Sequence, residues 1–483
     1  MTAQNAARNA AQATARNAAQ DTAQNAAQDT AQNAAQDTAR NAQKKAAGEA
    51  ARETARTAQN DPYLIVSSDC HAGLPTEEYR PYLDARFHRE FDVFLAGRDR
   101  RREEMTRLGV RNEAFADRWF SDNEEGLRGG WDPAQRIKEL DGDGVAGEVV
   151  FPDADAVDSR TAAPFGVGLG LSGDQDPDLG MAGAQAHNRW LAEFVGHHPE
   201  RHCGVALLPV TGEVDRVVAE IHRAKESGLG ALMIPSMWVD KAPYHDRRYD
   251  PVWAAAAETG MPLVTHSGAA PRHEYGDHLG IYVSEVTWWP ARPLWFLLWS
   301  GVFERHPGLT FGVAESGCWW LPNLLWFMDR LYLGAHGGKK LSPFAELKRP
   351  PSEYLDRQIF ICATNTKRRE LAQRYEIGVD NILWGSDFPH PEGTWPNTRE
   401  WLRTTFHDIP VSETRRMLGL AAAEVFGFDT AKLAPLARRI GPTPAELGQP
   451  DDQVAVEASW ARSREVGRHW LTEHDFPALG VTR

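Results

Sequence analysis

From Tyr63 onward, short runs of consecutive apolar residues alternate with longer stretches whose apolar positions recur every three or four residues. The runs predict strands over Tyr63–Ser67, Gly147–Phe151, Gly204–Leu208, Ala231–Ile234, Pro262–Thr265, Leu309–Ala314, Gln358–Cys362 and Asn381–Trp384. The stretches between them, such as Ala182–Val195, Gly212–Ser227, Asp250–Thr259 and Trp319–Leu333, predict amphipathic helices. Strands apolar on both faces, each followed by a helix and repeated eight times, predict an α/β fold, a closed (β/α)8 barrel of the TIM type.

The pattern is absent before Tyr63, where no Val, Ile, Leu, Phe or Trp occurs. Residues 1–61 therefore cannot bury a core and are expected to be a disordered low-complexity tail. Within the tail the octapeptide Asp21–Gln28 recurs at Asp29–Gln36 and, altered, at Asp37–Lys44. A period of eight advances a helix by about 80° per repeat and builds no continuous stripe. Residues 62–429 are expected to form the barrel and 430–483 a helical extension that packs on it or on a second subunit. Long connections at Pro75–Trp131, Asp153–Met181, Met237–Arg248 and Gly268–Pro293 read as strand-to-helix insertions at the mouth, where barrel enzymes place specificity.

Composition narrows the function. A net charge of -14 over 483 residues argues against gripping phosphate backbones, so no nucleic-acid partner is expected. There is no apolar run long enough for a membrane span and no secretory leader, which makes a soluble cytoplasmic enzyme the expectation. Cys70, Cys203, Cys318 and Cys362 are widely spaced and read as buried thiols.

Candidate chemistry lies just past the strand ends. Strand one runs into Asp69 and His71, which a period of two puts on one face with Cys70 on the other. Strand five runs into His266, strand six into Glu315, and strand eight into Asp387 and His390. Each alone has a plain structural reading, as a helix cap or a hydrogen-bonded core residue. Together, two imidazoles and two carboxylates make an N/O set suited to zinc, manganese or a similar divalent ion with one position open.

These residues lie in a longer set of motifs. They are Asp69-Cys70-His71, Trp131-Asp132-Pro133, Leu140-Asp141-Gly142-Asp143-Gly144, Asn188-Arg189-Trp190, Pro199-Glu200-Arg201, Thr265-His266-Ser267-Gly268, Gly301 through Pro307, Ala314-Glu315-Ser316-Gly317 and Gly385-Ser386-Asp387-Phe388-Pro389-His390. The set resembles the amidohydrolase-related family that includes aminocarboxymuconate semialdehyde and resorcylate decarboxylases, over most of Tyr63–Asp429. The resemblance implies that Asp69, His71, His266 and Asp387 hold one metal ion, zinc before manganese, with Asp387 also moving a proton. Two departures stand out: many relatives open with His-x-His where this chain has Asp69, and decarboxylases of this kind carry a catalytic His where Glu315 stands.

Arg136 is a candidate for a substrate carboxylate, against a salt bridge on a helix surface. His390 either lines the pocket or orients its loop. Of the tryptophans around strands five and six, Trp289 is a candidate aromatic wall, the others core or interface residues. The expectation is a homodimeric metal-dependent enzyme that decarboxylates a small unsaturated or aromatic acid, with Asp387 and Glu315 as catalytic groups. The alternatives are a hydrolase of an amide, ester or lactone using a metal-bound water, and an inactive barrel serving as a scaffold.

Overall fold

The computed structural model describes residues 61–448 apart from 108–112, 156–159, 170–175, 211, 277 and 335–345. The expected tail at 1–61 and the part of the expected extension beyond 448 thus lie outside the described residues, except for Asp61 itself.

Eight strands form, one at each predicted place: β1 (Val66–His71), β2 (Gly147–Phe151), β3 (His202–Leu207), β4 (Ala231–Met233), β5 (Leu263–His266), β6 (Phe311–Ala314), β7 (Ile359–Thr364) and β8 (Ile382–Gly385). They run in sequential order and every ladder is parallel. Beyond the end of β8 a parallel bridge between Cys70 and Phe388 closes the ring. There the Asp387 N–H donates to the Asp69 carbonyl at 2.8 Å and the His71 N–H donates to the Phe388 carbonyl at 2.7 Å.

The boundary that differs most from expectation is β1, which begins three residues later and runs through Asp69 and His71 instead of stopping before them. Its register shifts between Ser67 and Cys70. The Ser67 hydroxyl donates to the Asp69 carbonyl at 2.9 Å and accepts from the Ser386 N–H at 2.8 Å, which ties the irregular strand to its neighbour. β7 runs two residues further than the apolar run, to Thr364.

The barrel interior is filled by Val66, Val149, Val205, Leu207, Val264, Phe360 and Leu383, with Phe426 and Leu433 in the same cluster. Leu433 lies on the helix Thr430–Ile440, which Asp429 caps by accepting from the Ala431 and Lys432 amides. Just beyond it, the Pro442 carbonyl accepts from the Tyr63 N–H at 2.8 Å. The described start of the expected extension therefore sits against the barrel's N-terminal end, opposite the strand ends that carry the candidate chemistry. A second apolar layer, including Leu191, Ile221, Trp253, Leu297 and Leu325, lies between strands and outer helices. The first long insertion is more ordered than a loop reading implies, since it contains the helices His88–Arg107 and Glu113–Leu127. All four cysteines are buried and free. Among the described residues no helix is long and apolar enough to cross a membrane.

Candidate metal centre

The strand ends bring Asp69, His71, His266, Glu315, Asp387 and His390 to one place. Asp69 Oδ1 lies 3.4 Å from His71 Nε2 and 3.2 Å from His266 Nε2, and His71 Nε2 lies 3.0 Å from Asp387 Oδ1. His390 Nδ1 is 3.2 Å from the same Asp387 oxygen, and Glu315 Oε2 is 3.3 Å from His266 Nδ1. The first three residues, and His71, Asp387 and His390 as a second trio, each present donor atoms within 4.8 Å of one another.

Local backbone geometry aims these groups. Asp387 and Glu315 both have positive φ, 62° and 51°, as does Asp153 at the end of β2 with 64°. Left-handed backbone is costly for residues other than glycine and accumulates where function demands a particular side-chain direction. Gly385 lets β8 approach: a Cβ there would meet the Asp69 Cβ at 2.5 Å.

Each imidazole is oriented from behind. His71 Nδ1 is 2.8 Å from the Pro152 carbonyl, His266 Nδ1 is 2.9 Å from the Ser267 carbonyl, and His390 Nε2 is 2.7 Å from the Asp153 carbonyl. A carbonyl only accepts, so these nitrogens carry the proton and the opposite nitrogens are turned toward the carboxylates. His71 Nε2, His390 Nδ1 and both oxygens of Asp387 are buried with no hydrogen-bond partner. Buried polar atoms without partners are costly, and several facing one space suit the binding of a cation.

The electrostatics agree. Burial, and then the charge of His390, oppose a proton on His71, but the adjoining Asp387 and Asp69 carboxylates outweigh them and raise its pKa. Burial is likewise outweighed at His266 by Asp69 and at His390, more strongly, by Asp387. Burial opposes charge on Asp69 too, yet His266 and His71 hold its carboxyl well below the usual range. Asp387 is lowered by His390 and His71 against its own burial. Glu315 goes the other way, raised well above the usual range by burial and then by the charge of Asp387. The site thus draws positive charge inward, and the two imidazoles and two carboxylates fit a divalent ion in donor type and spacing.

Arg136 departs from both of its expected readings. It is fully buried, not on a helix surface, and its Nε and one terminal nitrogen donate to the two Glu148 oxygens at 2.7 Å each. The other terminal nitrogen donates to the His71 carbonyl at 2.7 Å and to the Gly129 carbonyl at 3.3 Å, so the guanidinium is engaged by Glu148 and by main chain. Trp289 is half-buried and donates its indole N–H to the Tyr275 hydroxyl at 3.2 Å. Its neighbour Pro290 accepts from Thr265 on β5 at 2.6 Å, which holds that loop beside His266.

Two contributors escaped the sequence reading. Thr364 donates its hydroxyl to Asp69 Oδ2, and only the two-residue extension of β7 reveals it. Glu392 joins Glu315, Asp387 and His390 within 4.8 Å. It lies two residues past His390, in a turn whose path the apolar pattern does not encode.

A family model described as amidohydrolase matches residues 68–428. The fold is similar to that of 5-carboxyvanillate decarboxylase from Sphingomonas paucimobilis, at 19% identity over 76% of this chain and 100% of that one, with a TM-score of 0.55. It is similar to an amidohydrolase from Mycobacterium avium subsp. paratuberculosis, at 19% identity over 76% and 99%, TM-score 0.56. A third is dihydroxybenzoic acid decarboxylase from a Polaromonas species, solved with manganese and 2-nitroresorcinol, at 17% identity over 77% and 99%, TM-score 0.52. No curated protein matches the chain.

Proposed function

We propose, from the premise that this chain belongs to the amidohydrolase family, that it is a metal-dependent carboxy-lyase. It removes carbon dioxide, without oxidation, from a small unsaturated or aromatic carboxylic acid. The observation that carries this reading is the buried, unpartnered set of His71 Nε2 and both Asp387 oxygens, facing the Asp69–His266 pair. Asp69, His71, His266 and Asp387 would hold one divalent ion. Zinc suits two nitrogens and two oxygens; manganese, the ion bound in the Polaromonas protein, is the alternative. When bound, such an ion supplies positive charge for the substrate carboxylate and an adjacent oxygen.

The remaining chemistry falls to the chain. Burial and the neighbouring Asp387 raise the pKa of Glu315, which favours it as the acid. As the bond to the carboxylate carbon breaks, its electron pair stays on the substrate carbon and takes the Glu315 proton, and carbon dioxide leaves. His390 and Trp289 are the proposed substrate contacts, the first beside Asp387 and the second in the loop anchored next to His266. Arg136 is not among them. A homodimer is supported by the exposed Trp326, Phe327 and Leu333 on and just beyond one outer helix.

Because decarboxylases of aromatic acids share this fold, the test is a panel of hydroxylated benzoates set beside aryl amides, esters and lactones. Release of carbon dioxide from an acid is the expected result. Hydrolysis of an amide, ester or lactone, with no carbon dioxide from any acid, overturns it in favour of a hydrolase.

A further inference from the structure

Resting on the metal-centre reading above, we infer that Arg136 is a positioning residue for that centre, which fixes the spacing between the ligand-bearing ends of β1 and β8. The three ligand candidates Asp69, His71 and Asp387 sit on two segments with no regular ladder between them: the β1–β8 closure consists of one bridge, Cys70 to Phe388. β1 is itself irregular just before this point, its register shifting between Ser67 and Cys70. Two main-chain hydrogen bonds and the Ser67–Ser386 contact hold the segments here, so a group that touches both of them bears directly on their separation.

Arg136 does so from below. It projects from the helix Pro133–Asp143, whose start is fixed by Asp132 accepting from the Ala134 and Gln135 amides at 3.0 and 3.2 Å. The bidentate contact with Glu148 fixes the plane of the guanidinium, and Glu148 lies on β2 beside His202, 2.9 Å from its Nδ1. In that plane one terminal nitrogen donates to the His71 carbonyl at 2.7 Å and to the Gly129 carbonyl at 3.3 Å, while the central carbon lies 4.5 Å from the Phe388 ring centroid. The peptide unit around His71 is therefore held from both sides, its N–H by the Phe388 carbonyl and its carbonyl by Arg136. One planar group thus touches the His71 main chain and the side chain that follows Asp387. A lysine keeps the charge but has neither the fork nor the flat face needed to meet Glu148, His71 and Phe388 together.

Cobalt(II) serves as the probe, because its visible absorption reports ligand geometry and its affinity can be measured by competition with a chelator. Wild type, Arg136→Lys and the double variant Arg136→Met/Glu148→Leu are compared. The double change removes both buried charges and so avoids stranding one of them. We expect folded variants that bind cobalt about ten- to a hundredfold more weakly, with an altered visible band. Variants that lose thermal stability but keep the wild-type cobalt affinity and band overturn the assignment, because Arg136 then supports only the fold. If Arg136→Lys does not fold, the double variant decides. Wild-type protein that takes up no cobalt, zinc or manganese ends the metal-centre reading, and this assignment with it.

Discussion

The imidazoles of His71 and His390 lie face to face, with centroids 3.9 Å apart and planes 17° from parallel. Both turn a nitrogen toward Asp387 Oδ1, at 3.0 and 3.2 Å. Only His71 also reaches Asp69, and through it His266. On the proposed reading this arrangement gives the two rings different work, with His71 as a ligand of the ion and His390 beside Asp387 on its other side, toward the substrate.

Metal content should follow that division. His71→Ala or His266→Ala should lose most of the divalent ion on elemental analysis, whereas His390→Ala keeps the greater part of it. A chelator should abolish activity, and added zinc or manganese should restore it. Equal losses from all three variants would place His390 among the ligands.

Glu315→Gln should retain the ion and much of the substrate affinity while lowering kcat on the order of a hundredfold or more. The unchanged rate expected of a merely structural carboxyl would remove Glu315 from the mechanism.

The same residue predicts a pH limb. An acid raised above its ordinary range holds its proton to higher pH than a free carboxyl, so kcat should fall as pH rises through that raised value. In Glu315→Gln the residual rate should lack this alkaline limb; its persistence would assign the limb to another group.

A stability prediction concerns Asp143, away from the centre. Burial raises its carboxyl to about 7, against hydrogen bonds from the Thr398 hydroxyl and N–H. The folded state therefore holds a proton that the unfolded chain has released, and stability falls as pH rises from its ordinary 3.8 through about 7. Relative to wild type, Asp143→Asn should gain in Tm across that window and level off above it. Parallel Tm curves for the two proteins would refute the assignment.

Much of this was legible in the chain because apolar patterning is a local property. A strand buried on both faces must be apolar along its length, so all eight strands stand out, and the ionisable residues that end β1, β5, β6 and β8 stand out against them. His71 and His266 are visible as candidates on that ground alone.

Tertiary structure decided what depends on contacts between distant segments. Arg136 shows the limit: its place on a helix is readable, but its burial follows from meeting Glu148, the His71 carbonyl and Phe388, which come from three different parts of the chain. Thr364 and Glu392 join the site only because the β7 extension and the turn after β8 curve inward. Glu315 and Asp387 could be listed from sequence, yet their opposite protonation tendencies arise from what surrounds each, burial and another carboxylate at Glu315 and histidines that outweigh burial at Asp387. Sequence periodicity sets which residues are buried and in what kind of element. The direction of a side chain past a strand end depends on backbone turns such as the positive φ of Asp387, and its charge depends on neighbours that only folding brings near.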